Sequence, residues 1–276
     1  MTSVAAELLV VRKRSSTWIL FGIWSLLAVF FAYVLPYIQY LDAAGGPGGE
    51  LDTLLPRGLA GNVIGGFPFF GGVFALMLGV LAFGSEFGWG TLKTLFLQRP
   101  GRLTVFGAKL LALGAVLVPF VLVVFALGAA ASSVVALREG AEIAWPSAWL
   151  LVRSLAAGWL VLAVWAAFGV WLAVLSRGTA LAIGIGILYV LVVEGLISAF
   201  ADAVGFLQPV TEFLLRANAY SLVKAVGLST ADAAGNGPGS FGGPYVDAAQ
   251  ALAVLAVYGV TFLLLAGLLL RRRDVA

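Results

Sequence analysis

The amino-acid sequence predicts an all-α polytopic membrane protein with six transmembrane helices. The 276 residues are 62% hydrophobic and 11% charged, whereas soluble domains carry about 25% charged residues. Six separate stretches also reach the roughly 20 apolar residues that a helix needs to cross a bilayer. With a mean hydropathy of +1.08, residues 1–276 are predicted to form a single transmembrane domain.

The six predicted spans are joined by connections of very different length. They cover residues 18–35, 59–83, 110–137, 149–176, 179–200 and 248–270. Only the turn Ser176-Arg177-Gly178 separates the fourth span from the fifth. The apolar run of the first span is longer than the core of a typical signal peptide, so we interpret it as a retained helix.

The distribution of charge predicts the orientation of the chain. Eleven of the sixteen basic residues fall at the two ends and in the even-numbered connections, whereas most acidic residues fall in the odd-numbered ones. Because basic residues are retained in the cytoplasm, we expect both termini to be cytoplasmic. The cytoplasmic bases are then Arg12, Lys13, Arg14, Lys93, Arg99, Arg102, Lys109, Arg177, Arg271, Arg272 and Arg273.

Residues outside the spans are predicted to form three further features. The acidic, glycine-rich connection 36–58 is expected to be irregular. Within the extracytoplasmic segment 201–247, apolar residues recur at helical spacing over 208–228. This stretch predicts an amphipathic helix that lies at the outer interface or dips into the bilayer, with Glu212 and Arg216 as a surface pair. An ordinary packed loop helix is the alternative, and 233–244 is expected to be a flexible linker.

Residues inside the spans offer few candidates for chemistry. The chain has no histidine and no cysteine, which excludes imidazole and thiol catalysis and metal sites built on these side chains. Gly61 and Gly65 have the spacing of a helix-packing motif, and Pro68 could kink the second span. Charge is costly inside a membrane, so we predict that Arg153 and Glu194 form an intramembrane ion pair. This pair would act as a gate in the outer half of the bilayer, helping to close any pathway between the spans. The alternative is that Arg153 reaches the interface and that Glu194 faces a wet cavity alone.

A compact polar segment, "GSEFGWGTLKTLFLQRPGR" at residues 84–102, lies between the second and third spans. Residues 91–98 could form a short cytoplasmic helix, which the proline at position 100 would end. The segment could pass movement from a soluble partner to both spans. It could equally be a basic anchor that only fixes the topology.

The same segment resembles the connection between the second and third spans of type-2 ABC exporter permeases. The resemblance rests on an acid, a Gly-Thr pair, a short apolar and basic helix, a proline, an arginine and a lysine that opens the third span. The order of the spans is similar too, and the N-terminal stretch "ELLVVRKRSSTW" resembles the family's amphipathic cytoplasmic helix before the first span, which implies such a helix within residues 1–17. The residues that the resemblance assigns to ATPase coupling are Glu86, Gly90, Thr91, Leu92, Lys93, Leu95, Phe96, Arg99, Pro100 and Arg102.

This resemblance implies that residues 91–102 are a coupling helix in the groove of a nucleotide-binding subunit. Two permeases and two ATPase subunits would form the transporter, with ATP and Mg²⁺ bound by the ATPase subunits. The sequence contains no G-x-x-x-x-G-K-[ST] motif, so ATP hydrolysis is expected on a separate chain and this chain is expected to bind no cofactor. Its partners would be the ATPase, a second permease copy and membrane lipid, without nucleic acid.

The sequence thus predicts the permease subunit of an exporter in a prokaryotic plasma membrane. The expected substrate is amphipathic or hydrophobic, such as a drug, a peptide antibiotic or a lipid. An ATP-independent secondary transporter is the first alternative, and it would require several intramembrane charges and internal repeats. A structural or sensory membrane subunit is the second.

Overall fold

A computed structural model describes residues 3–42, 49–88, 101–200, 204–227 and 245–272, and every regular element in these ranges is helical. In chain order, the helices are α1 (Ser3–Lys13), α2 (Ser15–Asp42), α3 (Gly49–Leu54), α4 (Pro56–Phe87), α5 (Arg102–Glu139), α6 (Ala148–Ser176), α7 (Ala180–Phe200), α8 (Gln208–Thr211), α9 (Leu215–Gly227) and α10 (Ala248–Arg272).

Six of these helices are long enough and apolar enough to cross a membrane. They are α2, α4, α5, α6, α7 and α10, so the prediction of six transmembrane helices is confirmed. Each contains one of the apolar stretches that the sequence indicates, because twenty consecutive apolar residues satisfy their backbone polar groups best as a helix.

The prediction that the connection 36–58 is irregular is wrong for the part that the structure describes. Helix α2 continues through Pro36 to Asp42, and α3 and the first turn of α4 cover Gly49–Leu54 and Pro56–Gly58. Pro36 lies two residues after the end of a widened π-helical turn at Phe30–Val34. A wide turn relieves the clash that proline makes with the preceding turn, so the helix can continue.

Helix α4 contains a similar widened turn at Phe67–Gly71. Pro68 has no backbone N–H group, and the N–H of Gly71 bonds to the carbonyl oxygen of Gly66 at 3.1 Å, five residues earlier. The interruption thus lies at the proline for which the sequence predicts a kink. The ring of Phe70 stacks on that of Phe31, with centroids 4.9 Å apart, so the widened turns of α2 and α4 are adjacent.

Helix α6 is the centre of the bundle and packs against α4, α10, α7 and α9. Its closest approach is to α4: a methyl group added at Gly79 would lie 2.0 Å from the carbonyl oxygen of Ala166, and one at Gly169 would lie 2.1 Å from that of Leu76. The two backbones are therefore in direct contact. Gly61 is also buried, but it packs beside Gly227 of α9.

The helices at the periphery expose apolar surface of the kind that faces lipid. Helix α2 is the clearest case, because its exposed side chains form a continuous stripe with spacings of three and four residues. The stripe consists of Ile19, Ile23, Leu26, Phe30, Val34, Ile38 and Leu41.

Helix α9 lies inside the bundle, packed against α10, α6 and the first part of α4. Its C-terminal residue Gly227 lies near Leu150 and Ala60, at the predicted outer ends of α6 and α4. At its other end, the carbonyl oxygen of Phe213 accepts a hydrogen bond from Tyr258, well within α10. The amphipathic segment is therefore a packed helix that enters the bundle rather than one that lies on its surface. Residues 233–244, the predicted linker, lie outside the described residues.

Candidate functional site

The first candidate site is a buried charge cluster where α1, α4 and α5 meet. The ammonium group of Lys109 donates to Oε2 of Glu7 at 2.8 Å and is in direct contact with Oε1 of Glu86. The side chain of Lys109 is only 3% exposed, and that of Glu86 only 7%. Charges that are this deeply buried need close partners, so both carboxylates depend on the ammonium group of Lys109.

Arg14 extends this cluster to the connection between α1 and α2. Its Nη1 atom donates to the carbonyl oxygen of Leu81 at 2.7 Å, and its charge acts on the carboxylate of Glu86. The cluster thus combines two bases with two acids and has no net charge. Oε2 of Glu86 is buried and accepts no hydrogen bond in the described part of the chain.

Packing around the cluster fixes the end of α4. The rings of Phe83 and Phe106 lie with centroids 5.4 Å apart, which joins α4 to α5 next to the charges. A methyl group at Gly84 would lie 2.9 Å from Cγ2 of Thr179 and 3.1 Å from the carbonyl oxygen of Gly178. Helix α4 therefore ends between α5 and the turn that joins α6 to α7.

The structure tests only part of the predicted coupling segment. Residues 89–100 lie outside the described residues, and they include Gly90, Thr91, Leu92, Lys93, Leu95, Phe96, Arg99 and Pro100. Arg102 begins α5. From its position at the end of the second predicted span, among the bases Lys93, Arg99, Arg102 and Lys109, Glu86 is predicted to pair with one of these bases or with a backbone amide. It pairs with Lys109. The role of these residues in coupling stays a prediction.

The second candidate site is the carboxylate of Glu194 in α7, which is fully buried. The backbone N–H of Arg216 donates to it, with the nitrogen 3.1 Å from Oε2 and 3.3 Å from Oε1. Nε of the same arginine lies 3.8 Å from Oε2. Glu194 therefore binds both the charge of Arg216 and the N-terminal turn of α9, where backbone N–H groups lack helical partners.

The prediction that Arg153 and Glu194 form an ion pair is wrong. Arg153 is exposed on α6, whereas Glu194 is enclosed and faces Arg216. The predicted surface pair of Glu212 with Arg216 fails for a related reason. Helix α9 begins only at Leu215, so Glu212 precedes the helix, and Arg216 turns into the bundle with 3% of its side chain exposed.

Arg216 could have been recognised from the sequence. It lies on the buried stripe of α9 together with Ala219, Val223 and Val226, at spacings of three and four residues. An arginine on an apolar stripe, in a chain that also carries an intramembrane glutamate, indicates a buried pair.

Side chains also satisfy the irregular turn that precedes α9. Nδ2 of Asn218 donates to the carbonyl oxygens of Glu212 and Leu214, at 2.8 Å each. The hydroxyl of Tyr258 donates to the carbonyl oxygen of Phe213 at 3.0 Å. Irregular backbone inside a membrane bundle requires such partners, and these residues supply them from α9 and α10.

The chemistry of both sites is ionic and structural. No group of three His, Cys, Asp or Glu side chains that could hold a metal ion occurs among the described residues. Both clusters can hold helices in a fixed arrangement.

A family model described as "ABC-2 family transporter protein" matches residues 3–193. The chain belongs to the ABC-2 family of transporter proteins. It is an ABC-2 type permease, a membrane component that is not itself catalytic, and permeases of this family typically work with an ATPase subunit. A comparison with curated proteins gives no match. The family match includes all four residues of the first candidate site, Glu7, Arg14, Glu86 and Lys109, which we call the Lys109 cluster. It ends one residue before Glu194.

Proposed function

We propose that this permease is the membrane-spanning subunit of an ATP-driven exporter in a prokaryotic plasma membrane. ATP and Mg²⁺ bind to a separate ATPase, which is present in two copies together with a second permease chain. The substrate is an amphipathic or hydrophobic compound such as a drug, a peptide antibiotic or a lipid. Membership of the ABC-2 family and the Lys109 cluster are the observations that support this proposal.

The Lys109 cluster supports a coupling role because of where its members lie in the chain. Glu86 precedes residues 89–100 and Lys109 follows them, yet the two side chains are in contact. A force applied to the segment by a soluble partner therefore reaches α4 and α5 as one unit. Glu7 adds α1 to that unit, so the N-terminal helix moves with the segment as well.

The burial of the cluster adds to its stiffness. An ion pair that is exposed to water contributes little and can rearrange freely, but a buried one is costly to separate. At 3% exposure for Lys109, the contact between α4 and α5 resists opening. Rigid contact between α4 and α5 allows movement of the segment that joins them to be transmitted to both helices.

The docking of the ATPase is tested by substitutions in the proposed coupling helix, residues 91–102. Leu95→Asp combined with Phe96→Asp places charge in the proposed apolar contact with the ATPase. We expect the permease to insert normally and to lose the co-purifying ATPase. Ile143→Asp is the control, because Ile143 is an exposed apolar residue on the predicted outer side.

Two outcomes would count against the proposal. Undiminished co-purification of the ATPase with the double variant would refute docking through this segment. Transport by the purified permease in vesicles that contain no ATPase and no ATP would favour the secondary-transporter alternative, for which the intramembrane Glu194 is the specific observation.

A further inference from the structure

Helix α6 lies at the centre of the bundle, yet one strip of its surface is exposed near its first residues. The exposed residues recur at spacings of three and four and therefore share one face of the helix. They are Trp149, Val152, Arg153, Ala156 and Trp159, which we call the α6 strip. From Leu160 to Val174 every residue of α6 is buried or half-buried. The strip is thus confined to the end of α6 that is predicted to be the outer one.

The length of the α6 strip matches one leaflet of a bilayer. Trp159 follows Trp149 by ten positions, which is about 15 Å along a helix, and the hydrocarbon core of a bilayer is about 30 Å thick. At the deep end of the strip, Nε1 of Trp159 donates to the carbonyl oxygen of Gly114 in α5 at 3.0 Å. The exposed stripe of α2, by contrast, runs through nearly its whole span. A surface that ends near the middle of the bilayer has the length of a single lipid.

Arg153 gives the α6 strip a charge in otherwise apolar surroundings. It lies five residues after the start of α6, about 8 Å along the helix axis. Within the part of the chain that the structure describes, no carboxylate lies within ion-pair distance of Arg153. Its side chain slants toward the start of the helix and can place the guanidinium group at the membrane interface. Trp149, which is 69% exposed, lies at that level, as interfacial tryptophans do.

We propose that the α6 strip binds one phospholipid of the leaflet at this end of the bundle. The guanidinium group of Arg153 holds the phosphate, because its planar set of N–H donors matches phosphate oxygens. One acyl chain lies over Val152 and Ala156 and ends against Trp159. The site is separate from the Lys109 cluster and from Glu194, whose charges contact other helices of the same chain.

Photocrosslinking in a phosphate-free membrane tests the position of this lipid. Purified permease is reconstituted in nanodiscs of an uncharged diglucosyl diacylglycerol that contain a small fraction of phosphatidylglycerol with a diazirine in one acyl chain. A diazirine at the head-group end of the chain should modify residues 149–153, and one at the methyl end should modify residues 156–159. We expect about fivefold more modification there than on the exposed stripe of α2, the ratio expected for one additional base near the lipid phosphates.

Variants of Arg153 test the role of its charge. Arg153→Gln should lower the head-group-end modification of the α6 strip about fivefold, whereas Arg153→Lys should keep most of it, since an ammonium group also attracts phosphate. Arg57→Gln is the matched control, because Arg57 is an exposed base at the same predicted end that already pairs with Asp52. It should leave the modification of the strip unchanged. Unchanged thermal unfolding of Arg153→Gln in detergent shows that the variant is folded.

Four outcomes would overturn the proposal. Equal modification of the α6 strip and of the α2 stripe would show ordinary lipid contact, and unchanged modification after Arg153→Gln would exclude the guanidinium group. Competition by inorganic phosphate would show a site for a free anion. The native chain has no cysteine, so a disulfide between two copies of Ala156→Cys would show that the strip is covered by a second permease. The experiments use the permease alone, so their results do not depend on whether an ATPase drives transport.

Discussion

Glu86 of α4 and Lys109 of α5 are in direct contact, although they lie 23 positions apart in the chain. We expect Lys109→Met to lower the free energy of unfolding by about 3–5 kcal/mol, because the buried carboxylate of Glu86 and the partly buried carboxylate of Glu7 both lose the ammonium group that they contact. Thermal or denaturant unfolding in detergent measures this loss. The matched control is Arg57→Gln, because Arg57 pairs with Asp52 at the surface, with 54% and 55% of the two side chains exposed, and should contribute about 0–1 kcal/mol.

Glu86→Gln tests the function of the same contact rather than its contribution to stability. The amide keeps the shape and one acceptor but loses the charge that holds Lys109. We expect normal assembly with the ATPase and a large loss of substrate-stimulated ATP hydrolysis, since α4 and α5 no longer move together. Unchanged stimulation would show that Glu86 has no orienting role.

Glu7→Gln should loosen α1 without affecting the six spans. The carboxylate of Glu7 bonds to Lys109 at 2.8 Å and holds the helix against α5. We expect faster hydrogen exchange and faster proteolysis within residues 3–13, with unchanged exchange in α6. Arg12→Gln changes an exposed side chain on the same helix and should have no such effect.

Gly79→Ala should destabilise the bundle by about 1–3 kcal/mol or more, as expected for overpacking in a dense core. The added methyl group would meet the carbonyl oxygen of Ala166 at 2.0 Å, so the backbones of α4 and α6 would have to separate. Gly184→Ala is the control, because a methyl group there meets nothing within 4 Å. It should be neutral or stabilise α7 by up to about 1 kcal/mol. Equal melting temperatures for the two variants would contradict the observed crossing.

Arg216→Gln and Arg153→Gln should differ strongly in stability. Arg216 is buried beside Glu194, and its loss should lower the free energy of unfolding by about 3 kcal/mol. Arg153 is exposed, so its replacement should have an effect within about 0.5 kcal/mol. Similar losses for both variants would restore Arg153 as a structural partner in the membrane.

The sequence predicts the features that depend on local pattern. Six spans follow from apolar length alone, and the pairing of Glu86 follows from its position among nearby bases. The partner of Glu194 depends on how far the chain re-enters the bundle after α7, and hydropathy carries no information on that depth. The crossing at Gly79 and Gly169 depends on the relative rotation of two helices, which the spacing of Gly61 and Gly65 does not predict.

The widened turn at Phe67–Gly71 determines the rotational phase of the rest of α4. If these residues formed a regular α-helical turn, every later side chain would rotate by about 100° about the helix axis relative to the first part of α4. Gly79 would then point away from Ala166, and a bulkier neighbour would meet the backbone of α6. The crossing can form only with the wide turn in place, and once formed it prevents that turn from tightening. Pro68 and Gly79 are thus parts of one mutual constraint, although three turns of helix separate them.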